Sequence, residues 1–126
     1  MNTFDQYKTE AQKRWGDTAA YKEHAEKTAG YTEQKWSSLH AAMDTMMAEF
    51  AACMNRGEAA ESAAAQALVR KLQNHITENY YHCTNEILAG LGQMYVGDER
   101  FKDNIDKHAG GTAAFICEAV EVYCRK

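Results

Sequence analysis

The chain has 126 residues, 45% of them hydrophobic, and 18 acidic side chains against 14 basic ones leave a net charge of −4. That length supports one hydrophobic core and not two, and an acidic balance with no local run of Lys or Arg argues against direct contact with nucleic acid. No apolar run approaches the roughly 18 residues of a membrane span and no charged-then-apolar leader opens the chain, so a soluble, cytoplasmic protein without a membrane partner is expected.

Proline is absent, and no stretch alternates polar and apolar residues for long enough to make a strand, which leaves an all-α domain. Phe4, Tyr7, Ala11 and Trp15 fall at helical spacing, and Gly16-Asp17 supplies a stop and a new cap. A second helix is predicted from about Thr18 to Ala29. These first thirty residues carry few large apolar side chains, and short helices with so little to bury are marginal alone. They are expected to form a loosely held lid (residues 1–30) over a helical core (31–126) within one domain.

From Thr32 to Asn55, Trp36, Leu39, Met43, Met46, Phe50 and Met54 recur every three or four residues, an amphipathic helix that ends at Gly57. The alanine-rich run from Glu58 leads into Leu68, Leu72, Ile76 and Tyr80, a second helix predicted to reach about Tyr81. A break at His82-Cys83 follows. Thr84 is the predicted cap of the next helix, with Glu86 in its first turn and Ile87, Leu91, Met94 and Tyr95 on its buried face. Gly90 and Gly92 each cost about 1 kcal/mol there relative to alanine, so either another helix or a bound molecule is expected to approach the backbone closely. Gly97 is read as the left-handed residue after that helix and Asp98 as the cap of the following one, which carries Phe101, Ile105 and His108. Gly110-Gly111 breaks the pattern and Thr112 is the predicted cap of a last helix with Phe115, Ile116, Ala119, Val120 and Tyr123 on its apolar stripe.

The four cysteines, Cys53, Cys83, Cys117 and Cys124, form no C-x-x-C pair and read as reduced thiols, mostly small packing residues. The break between helices concentrates chemistry instead. Helix ends leave backbone groups unpaired, and Tyr80, Tyr81, His82 and Cys83 place flat apolar surface, hydroxyls, a titratable ring and a soft nucleophile at that opening.

The run Trp15-Gly-Asp-Thr-x-Ala-Tyr21, the pattern Tyr31-Thr32-x-x-x-Trp36, and above all Cys83-x-x-Glu86 followed by Leu91-Gly-x-Met-Tyr-Val-x-Asp-Glu-Arg-Phe101 resemble the TipA-S drug-recognition domain family. Members are the C-terminal effector domains of a branch of MerR-type transcription activators. The resemblance runs from about Phe4 to Tyr123. It implies a globin-like layout, a cleft that takes bulky antibiotics and related hydrophobic ligands, and N-terminal helices that order over the cleft when ligand binds. Full-length activators of this branch also carry a DNA-binding MerR domain and a coiled coil, neither of which matches any residues here. A cut-down piece, a short form and a free-standing sequestering protein all fit the sequence. Members that capture thiopeptides bear two cysteines in the central motif, one matching Cys83 and one matching Gly90, and the missing second thiol points to reversible binding.

The leading functional expectation is therefore a binding module and not an enzyme. An aromatic cleft of Trp15, Tyr31, Trp36, Tyr80, Tyr81 and Tyr95 would recognise a small-molecule or peptide antibiotic by burial and stacking, oriented by His82, Glu86 and Asp98, with Cys83 and His75 as further candidate contacts. Two other classes have less support in the residues. A thiol enzyme would pair Cys83 with His82 or His75 but lacks any oxyanion or third orienting motif. Haem or metal on His75, His82 or Cys83 lacks a standard ligand spacing, so no cofactor and no metal are expected.

Overall fold

The computed structural model describes residues 19–125. Among these residues it contains six α-helices and no strand: α1 (Ala19–Thr28), α2 (Glu33–Asn55), α3 (Ala63–Asn79), α4 (Asn85–Gly97), α5 (Glu99–Asp106) and α6 (Thr112–Arg125). The helix expected over residues 4–15, with Trp15, lies outside the described residues.

Four side-chain caps set where helices begin. Thr32 Oγ1 accepts the Lys35 N–H at 3.1 Å, Ser62 Oγ the Ala65 N–H at 3.1 Å, Thr84 Oγ1 the Ile87 N–H at 3.2 Å and Asp98 Oδ1 the Arg100 N–H at 3.0 Å. Each satisfies an amide that the first turn leaves without an intrahelical partner. Ser62 sets the start of α3, which the alanine-rich run from Glu58 left open. Gly57 (φ +85°) turns the chain out of α2, residues 58–62 form a loop with Ala60 buried, and the hydroxyl of Ser62 then decides the boundary that uniform alanine propensity left open.

Two further boundaries differ from expectation. Gly97 is the last residue of α4 and has no left-handed backbone, and Asp98 alone both ends α4 and caps α5. Thr112 does not cap α6: it is fully buried, its hydroxyl donates to the Ala109 carbonyl at 2.7 Å, and Asp106, at the end of α5, accepts the Ala113 N–H at 2.9 Å. A carboxylate six residues before the helix thus replaces the local cap, a partnership that only the α5–α6 turn creates.

The core lies where α4 crosses α6, with α2 and α3 closing it from the other side; Phe50, Val69, Leu72, Leu88, Ile116 and Val120 are almost fully buried. The buried line of α4 is Leu88, Gly92 and Tyr95: Tyr95 lies inside as expected, whereas Ile87, Leu91 and Met94 are half-buried, one position round from it. Gly92 explains the rotation. A Cβ there would stand 3.3 Å from Val120 Cγ1, so the missing side chain lets α6 approach the α4 backbone. Gly90 is different: it is exposed, and nothing lies within 4 Å of where its Cβ would be.

All four cysteines are free, as expected, and three are buried, with Cys124 half-buried. No helix among the described residues is long and apolar enough to cross a membrane.

Candidate functional site

The α3 helix stops at Asn79, and its terminal carbonyls are met by side chains from the start of the chain. Lys27 Nζ donates to the Thr77 carbonyl at 2.8 Å, and the Tyr31 hydroxyl donates to the Asn79 carbonyl at 2.5 Å. Orphan carbonyls at a helix C-terminus attract such donors, and a lysine there also complements the helix dipole. Beyond the stop, the His82 N–H donates to Glu23 Oε1 at 2.9 Å and the Cys83 N–H to Thr77 Oγ1 at 3.1 Å. Thus α1 docks on the α3–α4 loop through polar bonds, and none of its described side chains is fully buried.

These contacts gather rings. His24 of α1 stacks on Tyr80, with centroids 5.8 Å apart and planes 6° from parallel, and lies 6.4 Å from Trp36 and 6.2 Å from Tyr81. Trp36 is 5.4 Å from Tyr31 edge-on, 6.1 Å from Tyr80 and 6.0 Å from His40. His75 presents its edge to Tyr80 at 5.9 Å. These spacings are those of mutually attractive aromatic pairs. Tyr31, Trp36, Tyr80 and Tyr81 are half-buried, so the cluster is packed yet keeps face area open. Burial pushes the Tyr80 hydroxyl up to about 12, with Tyr31 adding to it, so it stays a neutral donor at any physiological pH.

Next to the cluster, α2 and α3 splay around a groove of about 560 Å³ lined by Ala42, Thr45 and Met46 on one side and Ala67, Asn74 and His75 on the other. The Lys71–Glu49 ion pair, at 2.8 Å, bridges its two walls. His75 belongs to both groove and cluster. Burial holds its imidazole below the usual histidine range, against the pull of Glu78 and with help from Lys35, so the ring is neutral near pH 7.

Of the residues singled out from sequence, Tyr31, Trp36, His75, Tyr80 and Tyr81 come together. His82 is exposed at the edge of the group, and Glu86 is exposed in the first turn of α4. Cys83 is a core residue, 2% exposed, and burial pushes its thiol up to about 11, with Cys124 nearby adding to the shift. Its surroundings favour neither a nucleophile nor a surface contact. Tyr95 is also in the core, packed at 6.1 Å from Phe101, and Asp98 pairs with Arg100 at 2.6 Å. Both stand at the far end of α4 from Cys83, some 15–20 Å along the helix axis. The correction to the expected cleft is therefore spatial: a stretch contiguous in sequence is divided by α4 into two ends. His24, His40, Glu23 and Lys27 were not anticipated, because their spacing carries no apolar period and only docking of α1 brings them in. No three His, Cys, Asp or Glu side chains converge as metal ligands among the described residues.

An all-helical domain with a half-open aromatic cluster beside a groove defines a class, that of small helical ligand-binding domains. The family is also shown: residues 7–123 match the model of the TipAS antibiotic-recognition domain, and the chain belongs to that family. It is 40% identical over 116 residues to the HTH-type transcriptional activator TipA of Streptomyces coelicolor and 36% identical over 118 residues to the HTH-type transcriptional activator mta of Bacillus subtilis, covering 92% and 94% of this chain. It spans 46% and 45% of those two proteins, about half their length. Among solved structures it is similar to TipAS of Streptomyces lividans in complex with nosiheptide, with a TM-score of 0.86 and 39% identity over 96% of this chain and 85% of that one. The two share a globin-like helical arrangement. The antibiotic-binding domain of a TipA-class multidrug resistance transcriptional regulator matches at a TM-score of 0.64 and 34% identity, over 69% of this chain and 93% of the other.

Proposed function

We propose that this chain binds bulky apolar or peptide antibiotics and acts as the effector domain of a MerR-type transcription activator in the cytoplasm, with no catalytic role. The observation that carries the reading is the cluster of His24, Tyr31, Trp36 and Tyr80, contributed by α1, the α1–α2 loop, α2 and the end of α3. Flat ligands gain from stacking on half-open rings, and a cluster assembled from four segments changes with the position of α1. Residues 1–30 form the lid and 31–126 the core in this scheme, and ligand favours the closed state because His24 and Glu23 complete the site only when α1 is docked. The relatives named as HTH-type activators and the nosiheptide complex of the Streptomyces lividans domain support the ligand class and the regulatory role.

Capture is reversible in this reading. Cys83 is buried and its thiol is held protonated, while Gly90, where thiopeptide-capturing members of the family carry a second cysteine, offers none.

The test is a titration of the purified chain with nosiheptide, followed by thermal shift and tryptophan fluorescence. At a hundredfold over its dissociation constant a ligand adds about 2.7 kcal/mol of apparent stability, a plain rise in melting temperature. Trp36→Ala and His24→Ala should each weaken binding about tenfold or more, in line with the loss of one stacked ring. Equal affinity in both variants and the unaltered chain would remove the cluster from the site, and intact mass spectrometry showing a covalent adduct would overturn reversible capture.

A further inference from the structure

His75 stands apart from the remaining side chains. Its Nε2 is buried and has no hydrogen-bond partner. The other ring nitrogen identifies what that atom carries: the Asn79 side-chain amide, which donates to the His75 carbonyl at 2.9 Å, also points an N–H at His75 Nδ1 at 3.4 Å. A neutral imidazole with an acceptor at Nδ1 has its proton on Nε2. The result is a buried N–H donor without an acceptor in a ring that lines the α2–α3 groove and touches Tyr80. Such groups are rare in folded proteins because each carries an uncompensated desolvation cost.

We infer that His75 is the polar anchor of the antibiotic site: its Nε2–H donates to a carbonyl oxygen of a peptide antibiotic that lies across the aromatic cluster and runs into the groove between α2 and α3. The inference rests on the antibiotic-binding reading above and adds to it the path of the ligand and the atom that orients it. The aromatic rings accept many flat groups with little preference for direction, whereas one buried donor discriminates by presence and position of an acceptor. The histidine χ2 well is broad, so a modest ring rotation presents Nε2–H to the groove while the Asn79 contact follows. Burial supports the assignment by keeping the ring neutral, since an imidazolium would lose the Nδ1 acceptor that fixes the tautomer. The groove walls suit an amide-rich chain. Ala42 and Ala67 leave room for the backbone, and Thr45 and Asn74 offer further polar contacts along its length.

The experiment uses the full chain with nosiheptide as the probe, and compares the unaltered protein with His75→Phe and His75→Gln. His75→Phe keeps a ring against Tyr80 and removes the donor; it should weaken binding about tenfold, the effect of one hydrogen bond left unmade, while the melting temperature of the free protein is unchanged or higher. His75→Gln retains a donor and should recover part of the affinity. Long-range 15N–1H NMR of the free protein should show a protonated Nε2, with that proton shifting downfield on addition of nosiheptide. Unchanged affinity in His75→Phe, or an Nδ1-protonated ring, overturns the anchor and leaves the aromatic site standing. A chain that binds no nosiheptide at all overturns the anchor together with the antibiotic reading, and the two failures are thereby distinct.

Discussion

The crossing of α4 with α6 and the aromatic cluster beneath α1 are two regions of this domain built on opposite terms. At the crossing, contacts are apolar, nearly solvent-free and close enough that a Cβ at Gly92 would stand only 3.3 Å from Val120 Cγ1. At the cluster, rings are half-open, Lys27 and Tyr31 donate to the end of α3, Glu23 accepts from the His82 N–H, and one buried ring nitrogen is left without a partner. Stability comes mainly from the first region, because buried apolar area dominates folding free energy. The second is arranged so that its surface can be covered by something else, and elements that move on binding are drawn from such low-stability parts.

The largest effect that would test this contrast is at Phe50, fully buried on α2. Phe50→Ala should cost about 3–5 kcal/mol in urea denaturation, and a loss below about 1 kcal/mol would mean that the core does not carry the fold as described. Gly92→Leu should destabilise by about 1–3 kcal/mol, because the new side chain meets Val120 and overpacks the crossing. Gly90→Ala, two residues away, should do the reverse. With open space at its Cβ and a mid-helix position, it gains about 0.5–1 kcal/mol from helix propensity; a destabilised Gly90→Ala would show that this face of α4 is covered after all.

The smallest effect is a pH dependence. The His108 side chain, at 3.0 Å, and Lys107, at 3.2 Å, hold the Asp44 carboxyl below its ordinary value, clasping the α5–α6 turn to α2. A carboxylate whose folded pKa is depressed stabilises fully above its unfolded value and loses that contribution as pH falls through the folded one. Stability should therefore decline as pH drops below about 4, and less steeply in Asp44→Asn. Asp44 is half exposed, so solvent screening keeps the difference below about 1 kcal/mol. An unaltered slope in that variant would place the acid sensitivity elsewhere, first at Asp106. Burial alone would raise the Asp106 carboxyl, but bonds from the Ala113 and Gly111 amides and from Lys102 outweigh it and hold it low.

Helical periodicity read from sequence located α2 to within a residue, and the caps at Thr84 and Asp98 were legible because each acts on an amide two or three residues away. The aromatic half of the site was legible for a related reason: Tyr80 and Tyr81 follow the end of a strong stripe, and Tyr31 and Trp36 flank the start of another. Cys83, Tyr95 and Asp98 were grouped with them by proximity in sequence alone. That grouping failed in space since α4 carries Tyr95 and Asp98 some 15–20 Å away, and Cys83, with its neighbours' side chains around it, closes into the core. His24 could not be read as a site residue at all, for its partners Tyr80 and Trp36 belong to other helices.

The sequence by itself determined what depends on local spacing: an all-helical chain, the positions of most helix starts, reduced cysteines and, through its central motif, membership of the TipAS family. Tertiary structure alone decided which residues meet. It turned α4 so that Gly92 faces Val120, assigned the capping of α6 to Asp106, and brought His24 onto Tyr80. The physical reason is one of range. Backbone propensity and capping act within a turn of helix, whereas burial and ring stacking join residues that the chain separates by tens of positions, and their outcome is fixed only when all the helices pack at once.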